Sequence, residues 1–216
     1  TDIRDYIVRS GWPKENAWYL PNFVDGATAP PVARGSLDTP DGAPVILALG
    51  RLHPNKGFDV LLAALQRVPR AVLWLGGEGP EDAALKQAAG RLDVKDRVRF
   101  LGWRRDVAAL MAAADIFVCP SRHEPLGNVV LEAWAHRLPV VATVTAGPAA
   151  LIEDGRSGML VPAEDAESLA RAISTLLADP ARAAEIADAG NAAYRADYAE
   201  ESVVARYCQF FERIAN

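Results

Sequence analysis

Six short aliphatic runs, each separated from the next by a stretch with helical spacing, constrain this chain more than any other feature. They are Val45-Ile-Leu-Ala-Leu49, Ala71-Val-Leu-Trp-Leu75, Val98-Arg-Phe-Leu101, Ile116-Phe-Val-Cys119, Val140-Val-Ala142 and Gly158-Met-Leu-Val161. Between them, apolar residues recur at helical spacing near 57–68, 81–92, 105–114, 128–137 and 147–153. A strand covered on both faces reads as a continuous Val/Ile/Leu run rather than an alternation. Such strands joined through helices imply right-handed βαβ units. The expected fold is α/β, a doubly wound parallel sheet of about six strands, with ligands bound outside the carboxyl ends of the strands. After Val161 the pattern is helical to the end, interrupted at Asp179-Pro180. The last helix, about 200–214, carries Tyr207, Phe210 and Phe211 and is expected either on its own domain or against a partner domain.

The flanking sequence reads differently. Ile3, Tyr6, Ile7 and Val8 make a helical stripe that ends at Gly11-Trp12-Pro13, and Ala17-Trp-Tyr-Leu20 reads as a short strand before Pro21-Asn22. From Val24 to Ala43 the chain is rich in Gly, Ala and Pro with little periodicity, as in a loop or linker. The expected organisation is the tail of a preceding domain over 1–25, a linker over 26–43 and a main domain over 44–216. A start at Thr1 rather than Met adds the expectation of a fragment of a longer polypeptide.

Charge and composition narrow the function. A formal charge of −5 argues against a general nucleic-acid binder. No apolar run reaches the roughly 18–20 residues that span a bilayer, and no signal peptide is visible. Cys119 and Cys208 lie far apart and are expected to be reduced core thiols of a cytosolic protein. His53, His123 and His136 are the only histidines, and none stands at i, i+4 from another, so no metal site is expected. His123 is read as either pocket-lining or surface. No Gly-x-Ser-x-Gly elbow or Cys–His pair points to nucleophilic hydrolysis.

The residues with chemistry fall at the expected strand ends. After Cys119 the chain breaks at Pro120-Ser121, and Pro125 and Gly127 exclude a helix from the loop that follows. A helix is predicted from about Asn128, and within its first turns Glu132 stands among apolar neighbours. A buried carboxylate needs donors, so Glu132 is a candidate ligand-binding residue. Glu124 lies eight residues earlier on the loop. Between the two, Leu126, Gly127 and Asn128 offer backbone N–H groups at a helix N-terminus, which attracts anions. This set suits a ligand bearing both hydroxyls and phosphate. At the first strand end, Gly50-Arg-Leu-His-Pro-Asn-Lys-Gly57 places Arg51 and Lys56 together, as a diphosphate site or as ordinary surface charges. Gly76-Gly-Glu-Gly-Pro80 is a tight strand-to-helix turn rather than a full dinucleotide fingerprint. Trp103, after Gly102, either covers the sheet end or flanks a nucleobase.

Taken together, these motifs resemble the family 4 retaining glycosyltransferases. Glu124-x7-Glu132, preceded by Pro120-Ser121 and followed by Leu138-Pro-Val-Val-Ala142, is similar to the family's donor-site signature. Gly50-Arg51 with Lys56-Gly57, Gly77-x-Gly79-Pro80, Phe100-Leu-Gly102, Asp154-Gly155 and Pro21-Asn22-x-Val24-Asp25 agree in order. The resemblance implies a GT-B architecture of two Rossmann-like domains, of which this chain would be the C-terminal, donor-binding one. It implies that Arg51 and Lys56 bind the donor diphosphate, that Glu132 holds the ribose and that Glu124 contacts the transferred sugar or the reacting centre. Glu124, Arg51 and Lys56 would then be catalytic. Gly50, the amides of Leu126, Gly127, Asn128 and Val129, and Trp103 at the base would complete the donor site. No cofactor or obligatory metal is implied, and the donor is expected to be a UDP-sugar, with GDP and ADP open. The acceptor, a saccharide or glycolipid, would bind the absent N-terminal domain, in a cytoplasmic protein with peripheral association at the inner face of a membrane. Two positions depart from the family: Ala150 stands where a Glu is frequent, and His136-Arg137 replaces a small residue and Gly, a change expected to touch only a helix C-cap.

Three functions remain from the sequence. They are the donor half of a retaining glycosyltransferase, half of another GT-B enzyme such as a phosphorylase or epimerase, and a non-catalytic nucleotide-binding or interaction domain whose carboxylates cap helices.

Overall fold

The computed structural model describes residues 3–215; Thr1, Asp2 and Asn216, the outer limits of the expected segments, lie outside the described residues. Helix α1 (Ile3–Arg9) opens the chain, and the sheet begins only at β1 (Val45–Leu49). There follow α2 (Phe58–Leu65), β2 (Val72–Gly76), α3 (Asp82–Arg91), β3 (Val98–Gly102), α4 (Val107–Ala113), β4 (Ile116–Cys119) and α5 (Asn128–Ala135). The order continues with β5 (Val140–Thr143), α6 (Ala146–Leu151), β6 (Met159–Val161), α7 (Ala166–Ala178), α8 (Pro180–Asp197) and α9 (Glu200–Ala215). The six strands form one parallel sheet in the order β3-β2-β1-β4-β5-β6. This is the Rossmann-like, doubly wound fold that the aliphatic runs predict.

Alternation within each strand builds two cores. In β1, Ile46 and Ala48 face the side covered by α2, α3 and α7, where Leu61, Leu65 and Ile173 are fully buried. Val45 and Leu47 face the other side, where Phe117, Trp134 and Trp74 pack with α4, α5 and α8. Because β1 pairs with β2 on one side and β4 on the other, the chain winds away in opposite directions from it. That switch point opens a crevice at the carboxyl ends of β1 and β4. No described helix is long and apolar enough to cross a membrane.

Two expectations need correction. Ala17–Leu20 belongs to none of the six strands. Its aromatic residues pack instead of pairing: Trp18 lies 5.7 Å from Phe210 of α9 and beneath the Arg213 guanidinium. Helix α9 therefore lies beside α8, burying Val203, and also meets the segment that precedes residue 24.

Residues 26–43, outside every strand and α-helix, are held against the sheet domain by polar contacts. Val32 N–H donates to Ala109 O at 3.1 Å, and Arg34 donates to Ala113 O and pairs with Asp115, both at 2.8 Å. Thr39 accepts the indole N–H of buried Trp74 at 2.8 Å. These anchors are polar and singly spaced, so no hydrophobic period announces them. A buried indole nitrogen needs an acceptor, and this segment supplies it.

Finally, Cys208 is exposed on α9, whereas Cys119 is buried and its thiol pKa is pushed up by desolvation. Helix α9 buries little of its surface, so its cysteine faces outward rather than joining a core.

The turn into α2 depends on Gly57. Its φ is 63°, and a Cβ there would stand 2.1 Å from Pro120 O on the neighbouring loop. Gly57→Ala is expected to destabilise the fold by about 2 kcal/mol or more, from left-handed strain plus the clash. In urea unfolding, Gly35→Ala is the control, since nothing lies within 4 Å of its added Cβ.

Candidate active site

Hydrogen bonds continue past the strand ends and set the floor of the crevice. Gly50 N–H donates to Gly76 O at 3.0 Å, Leu52 N–H to Glu78 O at 2.9 Å and Gly77 N–H to Gly102 O at 2.8 Å. Above these turns lies a cavity of about 520 Å³, with Gly50, Arg51, Glu78, Trp103, Val129 and Glu132 among its walls. Arg51 is exposed and makes no hydrogen bond or ion pair among the described residues. Trp103, 72% exposed, has no packing role that would account for a large apolar ring in water. Glu132 is half-buried, and among the described residues its carboxylate has neither hydrogen bond nor ion pair. Desolvation pushes the Glu132 pKa up, with His136 acting in the opposite direction.

Glu124 is handled differently. It is only 8% exposed, and its Oε2 lies 2.6 Å from Lys56 Nζ while Oε1 accepts Gly127 N–H at 3.3 Å. The Lys56 stem runs beside Gly50, within 3.5 Å of where a Cβ would stand. Lys56 and Glu124 thus form one buried-edge ion pair behind Gly50, rather than a free cation and a free carboxylate. The reason is that a carboxylate so little exposed requires a counter-charge.

Gly127 sets the entry to α5, with a left-handed φ of 75° and a Cβ position 3.2 Å from the Gly147 backbone, so a side chain there is strained. The N–H groups of Asn128 and Val129 that follow donate to no acceptor among the described residues. Helix α5 divides the region in two. Val129 and Glu132 face the cavity above β1–β3, whereas Leu126 and Asn128 face a second cavity of about 660 Å³ bounded by Trp12, Trp18 and Phe210. The structure therefore gathers Gly50, Arg51, Trp103, Val129 and Glu132, and sets Lys56, Glu124 and Gly127 in the adjoining wall. His123 is exposed, and its backbone N–H donates to Asn55 O at 3.1 Å.

Sequence reasoning missed two features. Glu78 brings a second carboxylate to the cavity beside Glu132, hidden in the sequence within what reads as a turn. The His136 ring lies 2.8 Å from Glu132 O and 3.2 Å from Ala27 O, so this position ties α5 to the segment after Asp25. It does more than cap a helix. Arg137, next to it, takes a left-handed φ of 53° and pairs with Asp188 of α8.

Comparison with known proteins supplies the family. Residues 43–179, more than half of the chain, match the family model described as "Glycosyl transferases group 1". The chain belongs to the group 1 glycosyl transferases. Among curated members, it is 41% identical over 207 residues to "Lipopolysaccharide core biosynthesis glycosyltransferase LpsE" of Rhizobium meliloti (strain 1021), covering 96% of this chain and 61% of that protein. It is 37% identical over 212 residues to LpsD of the same strain, covering 98% and 62%. Among solved structures, Anabaena Alr3699/HepE in complex with UDP-glucose superposes with a TM-score of 0.85 at 30% identity, covering 98% of this chain and 61% of that one. The chain thus spans about three fifths of the length of these relatives.

Proposed function

We propose that the cavity above β1–β3 binds the nucleotide of a nucleotide-sugar donor, and that the whole protein transfers a hexose from it, with retention, to a saccharide or glycolipid acceptor. One observation carries the reading: a partnerless cation, Arg51, and a partnerless carboxylate, Glu132, face one cavity with an exposed Trp103. A group left unpaired against its own solvation preference is accounted for by a ligand that pairs it. Arg51 suits diphosphate oxygens, since a guanidinium donates two parallel hydrogen bonds. Glu132 accepts from the two ribose hydroxyls. Trp103 flanks the base. The free amide of Val129, on the donor side of α5, faces phosphate or sugar oxygens.

Transfer breaks the bond between the anomeric carbon and the diphosphate oxygen while an acceptor hydroxyl oxygen bonds to that carbon and its proton passes to the departing phosphate, on which negative charge grows. Arg51 and Lys56 neutralise it in place, which is how fixed charges lower such a barrier. Glu124, held by Lys56, stands at the transferred sugar. In this reading the two cations and the helix amides do the work without a metal. The HepE complex with UDP-glucose supports a UDP-sugar, and the names of LpsE and LpsD support a saccharide or glycolipid acceptor. The acceptor would bind in the part of the relatives that this chain does not span.

Calorimetric titration with UDP, GDP and ADP in EDTA tests the reading. One of the three is expected to bind in the micromolar to millimolar range. Arg51→Ala should weaken that nucleoside diphosphate roughly tenfold or more, the scale of a lost charge-assisted hydrogen bond, and leave the bare nucleoside unchanged. Equal losses for both would remove Arg51 from the phosphate. Absence of binding to this chain and to the longer protein would sink the donor site.

A further inference from the structure

The ladder between β1 and β4 ends at Leu47 and Phe117, before either strand reaches its loop. The sheet therefore does not fix the loop that carries Arg51 and Lys56 against the loop that carries Glu124. Arg122 does. Its backbone N–H donates to Asn55 O at 2.8 Å, next to Lys56, and one guanidinium nitrogen donates to Pro54 O at 2.8 Å. The same guanidinium forks onto both oxygens of Asp59, at 2.7 and 2.8 Å, in the first turn of α2. Its Nε reaches Glu164, beyond β6, at 2.8 Å.

One side chain thus joins three loops, and its neighbour two residues on is Glu124. A single exposed ion pair contributes little, but a forked pair shared among fixed partners adds direction to charge. The hydrogen bond from Arg122 also holds the Asp59 carboxyl below the usual carboxylate range, so the fork stays charged at neutral pH. A lysine, with one nitrogen, has no geometry to serve Pro54, Asp59 and Glu164 together.

We propose that Arg122 is a positioning residue of the donor site, clamping the β4–α5 loop to the β1–α2 loop so that Lys56 and Glu124 are set for the diphosphate before it arrives. This rests on the donor reading above. The test pairs titration with UDP and with uridine against hydrogen exchange of the loop amides, in Arg122→Ala, Arg122→Lys and Asp59→Asn. UDP affinity is expected to fall roughly tenfold in Arg122→Ala, a loss of preorganisation, while uridine affinity holds because Trp103 and Glu132 are untouched. Exchange should quicken at His123 and through 53–57 and nowhere in the sheet. Arg122→Lys should recover little, and Asp59→Asn should show the same selectivity more weakly with the backbone bonds intact. Equal losses for UDP and uridine, or full recovery by lysine, would overturn the proposal. If the parent chain and the longer protein bind no nucleoside diphosphate, the donor reading fails; quickened exchange would then mark a purely structural clamp and end its positioning role.

Discussion

Lys56→Met is expected to destabilise the fold by about 2–4 kcal/mol, because it strands a nearly buried carboxylate with a single long hydrogen bond left. Glu124 would keep only the Gly127 N–H at 3.3 Å. Lysine and glutamate side chains here are 25% and 9% exposed, so solvent screening holds the effect below that of a fully buried pair. Lys56→Met with Glu124→Gln should recover most of the loss, since an amide oxygen still accepts from Gly127 and no charge is left behind. A double-mutant cycle in urea measures the coupling. If Lys56→Met costs less than about 0.5 kcal/mol, as ordinary surface changes do, the two groups are not the pair described.

Glu132→Gln should move binding and stability in opposite directions. The affinity for the nucleoside diphosphate is expected to fall by about 1–3 kcal/mol, the penalty of a lost hydrogen bond between charged and hydroxyl groups. The unliganded fold should gain about 1 kcal/mol, because a half-buried carboxylate without a partner is replaced by a neutral amide of the same shape. The gain depends on pH with a definite sign. The folded pKa of Glu132 lies above its unfolded value, so the destabilisation is fully present above the folded pKa. It fades as pH falls through that value and is gone below the unfolded one. The advantage of Glu132→Gln should therefore be greatest at neutral pH and shrink on acidification through that window. Unchanged binding in this variant would remove the ribose role, and an unchanged stability difference across the window would show that the carboxylate is already solvated.

Much of the sheet was legible in the sequence because strand burial writes itself locally. Val45-Ile-Leu-Ala-Leu49 and Ile116-Phe-Val-Cys119 are strands along their whole predicted lengths, and the other four runs shift by a residue or gain or lose one at an end. Asp179-Pro180 stops α7 and starts α8 because proline is accepted at a first helical position and not within a helix. Ala17–Leu20 misled for a related reason: an apolar, aromatic run marks burial, and its partner proved to be Phe210 rather than a strand edge. The site was legible in its residue types. Glu132 could be named because it stands among apolar neighbours, and Arg51 and Trp103 because they follow strand ends.

What the sequence by itself determined, then, is the set of elements and the strand ends where chemistry gathers, since both follow from spacing along a few consecutive residues. Only the tertiary structure decided which charges remain free. Lys56 meets Glu124 across 68 residues, Arg122 meets Asp59 across 63 and Glu164 across 42, and His136 reaches Ala27 across 109. The Lys56–Glu124 and Arg122–Asp59 pairings depend on β1 lying beside β4 at the switch point, a consequence of strand order. The same order left Arg51 and Glu132 without partners in one cavity, because electrostatic neighbours are set by distance in space and not by separation along the chain.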